Sequence, residues 1–548
     1  MCATERGLFY HPFPADPYLG FGSQQMQCQK RRHSIASEEH VTTQVNCLTK
    51  NSSQKLGASY VQNSNQTRHK KIHGESMKFA ISSKVLAVGA VALLAVGAVA
   101  QEGRAGNSAA NQLVAPRTEQ AGKVFVPESG KEQRALYAHT TYVLHSADGM
   151  KPTIMSTPTP MVTAGPQVTL TQTLETPNSM GCLYVKNPSG AGCVPNVHGG
   201  GPSAAGYGAI AIVDAFDNPN AASDVATFNA QWPLAATNFT KVFANGNGSC
   251  TTPPPNAGWA LEESLDIEWA HVFAPNAAII LVEACSNSFS DLFYAEQVAF
   301  NYIVTNYPAG GQVTNSWLGG EFSGQTGDDA FFADFDYNFA TGYKTPIVAF
   351  ASAGDNGFGV GYPSSNPWIV SAGGTSVYRT ASNLHFNKEG CWAGSGGGQS
   401  SQETYVTGFT GGNMGPWANY QFPLFGQANR VTPDLSFNAD PASGVYVYSG
   451  YNGGWFSVGG TSVSSPSLAS IINRAGNHMG SVFFGTQIPI SSGFFNAEEN
   501  GLIYSQLPTA LAYKTNFYDV TTGSNGASAL KSYDECTGVG TPRGLLGK

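Results

Sequence analysis

Apolar residues in this chain come in short unbroken runs, separated by stretches whose apolar positions repeat at helical spacing. The first run is Ala209-Ile210-Ala211-Ile212-Val213. A continuous apolar run of that length reads as a strand buried on both faces. Asn220 to Trp232 then has the spacing of an amphipathic helix, and Ala260 to Phe273 repeats it. Ala277 to Val282 is a second buried strand, Leu292 to Val304 a helix, and Gln312 to Trp317 a strand. Asp328 to Tyr343 reads as a helix and Pro346 to Ala351 as another apolar strand. From 370 to 460 the chain is rich in glycine, with short β-type runs such as Gly444 to Tyr448, and a helical pattern follows Ser462. Strands alternating with helices predict right-handed βαβ units. The expected fold class is therefore α/β, a parallel sheet flanked by helices on both faces.

The chain before residue 205 is of another kind. Residues 1–76 are rich in Gln, Asn, Ser and His without sustained apolar period, and read as a disordered or upstream, non-mature extension. Met77-Lys78 opens a basic stretch ending at Lys84. Val85 to Ala95 is apolar, and Ala98-Val99-Ala100 has the small-x-small form of a cleavage site. Residues 77–100 thus read as a secretory signal peptide, too short and glycine-rich for a membrane span. A secreted protein, extracellular or periplasmic, with no membrane association in its mature form is expected. Residues 101–170 are polar, with Pro and Thr clusters and a strand-like run from Ala138 to Leu144, and read as a short leader or pro-region. Residues 171–548 are the remaining domain.

Cysteine use agrees with export. Cys182, Cys193, Cys250, Cys285, Cys391 and Cys536 follow the signal, an even number that predicts disulfides. Cys182–Cys193 would close a short loop, and Cys250–Cys285 is the second expected pair. Charge narrows the partners. The net charge is −8, and residues 101–548 alone carry 17 basic against 31 acidic side chains. Such a surface repels nucleic acid and permits work in acid, where many carboxylates are neutral. A monomer is expected.

Three segments carry candidate chemistry. The first is Gly459-Gly460-Thr461-Ser462, where small residues lead into a serine at the start of a helix. Free N–H groups and the helix dipole there favour developing negative charge, which suits a nucleophile whose reaction passes through an oxyanion. The second places Glu262 and Asp266 four residues apart, hence on one helical face. Two carboxyls so close repel if both ionise, but sharing a proton lets one orient the other. The third is Ser352-Ala353-Gly354-Asp355, an acid at the C-terminal end of an apolar strand, the edge where open α/β sheets build sites. Among histidines, His271 falls beside the acidic helix face and is the candidate for a conventional His base. Asp214 reads as a structural strand-end residue.

Together these segments resemble the sedolisin family of serine-carboxyl peptidases. The likeness runs through Glu262-x-x-x-Asp266, Ala274-Pro275-Asn276-Ala277, Ser352-Ala353-Gly354-Asp355, Tyr362-Pro363, Val370 to Ser376 and Gly460-Thr461-Ser462-x-x-x-Pro466. It implies a subtilisin-like fold in which a Glu stands where subtilisins use His. It further implies Ser462 as nucleophile, Glu262 as general base, Asp266 as its orienter and Asp355 as the oxyanion-hole side chain. The implied function is an acid-active endopeptidase acting on polypeptides through an acyl-enzyme. Ser316-Trp317-Leu318-Gly319-Gly320 is placed to pair with the substrate backbone. The resemblance also implies one structural Ca²⁺ near the C-terminus. Its ligands would be the carboxylates of Asp519 and Asp534 and the carbonyls of Val520, Leu530 and Ser532, an oxygen-only set that suits a hard cation. The family has glycines where this chain has Leu530 and Ser532. It also carries a substantial propeptide domain, for which residues 101–170 are short. A neutral protease using Asp214, His271 and Ser462, and a catalytically silent exported binding protein of the same fold, are the alternatives.

Overall fold

The structure is a computed structural model of the 548-residue chain. It describes residues 27–34, 41–48, 59–62 and 488–489 and, with short interruptions, 123–404, 421–475 and 503–548. The expected signal peptide, residues 77–100, lies outside the described residues. The chain divides into two units, Met1–Val88 and Gly89–Lys548. In the first, Gln27–Ser34, Val41–Leu48 and Ser59–Gln62 form a three-stranded antiparallel sheet.

The second unit begins with β1 (Lys123–Phe125), β2 (His139–Thr140), β3 (Val143–Ser146) and β4 (Ile154–Met155), which lie in the stretch expected to be a leader. The α/β alternation follows as β5 (Ala209–Ala215), α1 (Ala221–Gln231), β6 (Asn238–Ala244), α2 (Ala257–Phe273), β7 (Ala278–Ala284) and α3 (Phe289–Asn306). It continues as β8 (Gly311–Asn315), β9 (Trp317–Gly320), β10 (Ile347–Ser352), β11 (Ile369–Thr380) and β12 (Phe386–Cys391). The last elements the site needs are β13 (Val445–Ser449), β14 (Gly454–Gly459) and α4 (Thr461–Arg474).

The main sheet runs β6-β7-β5-β8-β10-β11-β12. Along this path the pairs are parallel except β11 with β12, and Leu170–Thr171 adds a second antiparallel pair to β11. Successive side chains of a strand point to opposite faces. Ala209, Ala211 and Val213 accordingly pack with Leu292, Ala295 and Phe300 of α3. Ile210 and Ile212 pack with Ile267 and Ala270 of α2. That parity puts Asp214 of β5 and its register partner Glu283 of β7 on the α2 face. The sheet is thus covered on both sides, as its unbroken apolar strands require.

Two readings need correction. Asp328 to Tyr343 is not one helix: Tyr337–Asn338 and Tyr343–Lys344 are short antiparallel strands. Gly342 is a poor helix former, and the tyrosines suit a strand. The polar edge strand β6 also went unread, because only one face of an edge strand need be apolar. Three disulfides close, Cys182–Cys193, Cys250–Cys285 and Cys391–Cys536. Among the described residues no helix is long and apolar enough to cross a membrane.

Candidate active site

The nucleophile's position follows from Gly460. With φ 104° it turns β14 into α4 and acts as an N-cap without a side chain. A side chain there would collide with Asp355 Oδ2 at 2.4 Å and with the Thr141 carbonyl oxygen at 2.5 Å. Ser462 is the second residue of α4, so its N–H has no intrahelical acceptor. That N–H donates to the Thr141 carbonyl at 2.8 Å. Pro466, four residues on, lacks the N–H that would bond back to the Ser462 carbonyl. The Ser316 hydroxyl lies 3.4 Å from that carbonyl instead.

α2 brings the acids. Asn256 caps it, its side-chain oxygen accepting from the N–H groups of Gly258 and Trp259. α2 packs beside α4 across the sheet face, and Glu262 and Asp266 point inward with no solvent exposure. Asp266 Oδ1 accepts from the Ser316 hydroxyl at 2.8 Å, while Oδ2 has no partner. Neither oxygen of Glu262 has a partner at hydrogen-bond distance, although the Ser462 hydroxyl is near enough to favour its ionised form. Burial pushes Glu262 well above the usual carboxylate range, and Asp266 and Asp214 beside it add to the shift. Burial does the same to Asp266, against the opposing Ser316 hydrogen bond. Such groups hold protons in acid and share them.

Asp355 comes from the loop after β10. Its Oδ1 accepts from the Thr461 N–H at 2.8 Å and the Thr461 hydroxyl at 2.9 Å, and its Oδ2 is unpartnered beside Gly460. Burial pushes its pKa up to about 7, with Thr461 opposing. Below that pH it carries a proton that Oδ2 can donate toward the oxygen of a bound carbonyl.

Ser462, Glu262, Asp266 and Asp355 therefore converge from three distant segments. His271 does not join them. It lies nine residues beyond Glu262, roughly 13 Å along the helix, and its Nε2 is bonded to the Ala235 carbonyl at 2.8 Å. Asp214, read as structural, is buried with both oxygens unpartnered and carries a raised pKa, from burial first and then Asp266 and Glu283. Its position at the end of β5, on the face that α2 covers, was the available signal. Ser316 and Thr141 were missed as contacts of the reacting groups, since one hydroxyl among many carries no pattern.

β9, the expected substrate-pairing strand, is already paired. Trp317 and Leu318 lie antiparallel to Thr140 and His139 of β2. The chain then crosses Ser462. The Thr141 N–H donates to the Ser316 carbonyl at 3.2 Å, and the Thr141 and Ser462 hydroxyls are 3.0 Å apart. Beyond the crossing, Val143 and Leu144 of β3 pair with Gly459 and Val458 of β14.

At the C-terminal loop, Asp519 Oδ1 accepts from the Ser532 N–H at 2.9 Å and the Tyr513 hydroxyl at 3.0 Å. Asp534 accepts from the N–H groups of Leu530, Cys536 and Thr537 at 2.8–2.9 Å. Ser532 has φ 69°, a left-handed conformation that favours glycine. Among the described residues no three His, Cys, Asp or Glu side chains cluster as a metal site. Two carboxylates and backbone carbonyls are an oxygen-only donor set, the chemistry a calcium ion takes. Burial raises both carboxyls, Asp534 to about 7, a shift that a bound cation would reverse.

No protein-family model matches the chain. It is similar to kumamolisin of Bacillus sp. (strain MN-32), 28% identical over 345 residues that cover 59% of this chain and 56% of kumamolisin. Aorsin of Aspergillus oryzae is 31% identical over 208 residues, covering 34% of this chain and 29% of aorsin. Sedolisin of Pseudomonas sp. (strain 101) is 26% identical over 262 residues, covering 45% and 40% respectively. The chain thus spans about half the length of the curated relatives it matches. The solved structure of Pseudomonas sedolisin, a serine-carboxyl proteinase complexed with two molecules of pseudo-iodotyrostatin, aligns with TM-score 0.48 and 21% identity, covering 68% of this chain and 95% of that one.

Proposed function

The chain is a relative of the sedolisins, and from that premise we propose that it is a serine-carboxyl endopeptidase, exported from the cell and active in acid. The observation that carries this reading is the meeting of Ser462 with buried, proton-sharing carboxyls from α2 and with Asp355. Ser462 Oγ attacks the scissile carbonyl carbon and Glu262 accepts its proton. Asp266, held by Ser316, shares a proton with Glu262 and keeps it aimed. The Ser462 N–H and the Asp355 carboxylic acid donate to the oxyanion. Glu262 then returns the proton to the leaving amine, and water releases the acyl group. One proton shared with Asp266 leaves Glu262 able to accept another, and Asp355 donates only while protonated, below about 7, which favours acid.

Three disulfides support an oxidising compartment and agree with the expected signal peptide at 77–100. Asp519, Asp534 and the carbonyls of Val520, Leu530 and Ser532 would hold one Ca²⁺, which would brace the loop that follows Phe517–Tyr518. The test is hydrolysis of an unfolded polypeptide from roughly pH 2 to 9, with Ser462→Ala beside the wild type. Activity confined to acid and lost in the variant is expected. A neutral optimum, or activity that survives Ser462→Ala, would overturn the reading.

A further inference from the structure

The first turn of α4 leaves its N–H groups without helical acceptors, and three of them go three ways. Ser462 gives its N–H to the Thr141 carbonyl at 2.8 Å, and Val463 gives its own to the Gly460 carbonyl at 3.0 Å. Thr461 gives its N–H to Asp355 Oδ1 at 2.8 Å. The Thr461 hydroxyl donates to the same oxygen at 2.9 Å. That hydroxyl has little freedom to turn elsewhere. It belongs to a fully buried residue, and it accepts the N–H of Gly354 at 3.0 Å, from the residue just before Asp355. Its one proton is therefore left for Oδ1. Thr461 thus grips both the backbone and the carboxyl of the loop that follows β10.

This grip makes the two oxygens of Asp355 unequal. Oδ1 meets two donated hydrogens, so a proton of its own would crowd against both. Oδ2 has no partner. It stands beside Gly460, 2.4 Å from where a Cβ would be, and the Thr141 carbonyl oxygen is 2.5 Å from the same point. The acid's proton belongs on the oxygen that receives none from elsewhere. That oxygen faces the place where the Ser462 N–H already holds a carbonyl. We propose that Thr461 is the positioning residue of the oxyanion acid: by occupying Oδ1 it fixes the Asp355 proton on Oδ2 and aims it at the carbonyl oxygen held by the Ser462 N–H. This rests on the serine-carboxyl reading above.

Thr461 touches no reacting atom and acts through Asp355, in two opposed ways. Its hydroxyl aims the carboxyl, but a donor on Oδ1 also favours the ionised form, against the burial that keeps Asp355 protonated up to about 7. A residue that only held the loop together would lower activity at every pH and leave the profile where it was. The other groups around Asp355 leave that signature readable. Glu262 faces it from α2, and Asp355 adds to the upward shift of Glu262. Tyr142, whose Cα lies beside Gly460, gives its hydroxyl to the Gly258 carbonyl at 3.0 Å. The segment 394–398, bonded to Gly354 through the Gly396 N–H, reads Gly-Ser-Gly-Gly-Gly and brings no titratable side chain. The first turn of α4 brings none either.

The test compares wild type with Thr461→Val in Ser462-dependent hydrolysis of an unfolded polypeptide across pH, with kcat and KM separated. Valine keeps the shape of threonine and removes both bonds of the hydroxyl. Two changes of opposite sense are expected. At the acid optimum kcat falls, on the order of 10- to 100-fold, with KM little changed. The alkaline limb of the profile moves to higher pH, because a donor that favoured the carboxylate is gone. Thr461→Ser, which restores the hydroxyl, is expected to recover most of the rate and to return the limb. Thr461→Cys keeps an acceptor for the Gly354 N–H and a weak donor for Oδ1, and should show both changes in smaller measure. It takes the place of the valine variant if thermal unfolding shows that one to be unfolded. A limb that stays, or moves to lower pH, in a folded variant overturns this inference and leaves the endopeptidase reading standing. So does a rate that serine fails to recover. No Ser462-dependent hydrolysis by the wild type overturns both.

Discussion

Two groups of carboxylates are buried in this protein to the same degree and in opposite ways. Glu175 and Asp434 are each clasped by a guanidinium. Arg379 donates to both oxygens of Glu175 at 2.5 and 2.6 Å, and Arg430 grips Asp434 with both of its terminal nitrogens. Backbone and hydroxyl donors add to this, Ser371 N–H and the Tyr504 hydroxyl on Asp434 among them. Glu262, Glu263, Asp266 and Asp214 are as deeply buried, but their neighbours are one another. Most of their oxygens have no partner. Lys241 reaches the edge of this group at Glu283, 2.8 Å away, and does not enter it. A paired carboxylate is a fixture, whereas an unpaired one in a dry setting keeps a proton and remains able to move it.

That contrast is broken most sharply at the base. Glu262→Gln should lose on the order of 10³-fold or more in kcat/KM while the thermal midpoint stays near that of the wild type. Asp355→Ala should lose on the order of 10²- to 10³-fold, read in the same assay. At the fixtures the outcome inverts. Arg430→Met removes the counter-charge from buried Asp434, and should cost about 3–5 kcal/mol of stability, measured by denaturant unfolding of the Ser462→Ala background to prevent self-digestion.

A smaller effect is the pH dependence of folding. The raised carboxyls bind protons in the native state that the unfolded chain has released, so their contribution is fully present below the ordinary carboxylate pKa near 4. It is lost as pH rises through the native values, about 7 for Asp355 and Glu283. Thermal midpoints of Ser462→Ala protein should therefore fall from about pH 4 to beyond 7, and Glu263→Gln should flatten that slope. A midpoint that climbs over this window would show that these carboxyls ionise freely in the native state. The smallest expected change is at the C-terminal loop. Added Ca²⁺ should raise the midpoint by a few degrees, on the order of what saturating a weak site provides, and Asp534→Asn should remove the increment.

The sequence revealed these regions unequally. The buried strands were legible because a short unbroken apolar run can be kept from water on all sides only inside a covered sheet or a core helix, and these runs are too short for the helix. Glu262 and Asp266 were legible because four residues of helix put them on one face. The Cys182–Cys193 disulfide was legible from its short loop. The crossing of Thr141 over Ser462 was not, since its 321-residue separation leaves no local trace. Nor was the isolation of Asp214 from donors, because a strand-end aspartate looks the same in sequence whether a backbone N–H meets it or not. Edge strand β6 was lost to its polar outer face, and the false helix after Asp328 to an apolar period that runs on as far as Gly342.

Gly460 carries a consequence for how this chain tolerates change. A side chain there would meet both Asp355 and the Thr141–Tyr142 backbone, and its φ of 104° disfavours any other residue. A saturation library at this codon should return glycine alone under selection for hydrolysis, with alanine already inactive. The neighbouring position 463, an apolar helix residue, should accept several aliphatic substitutes. The sharpest boundary in the molecule's mutational landscape would then fall on a residue that performs no chemistry.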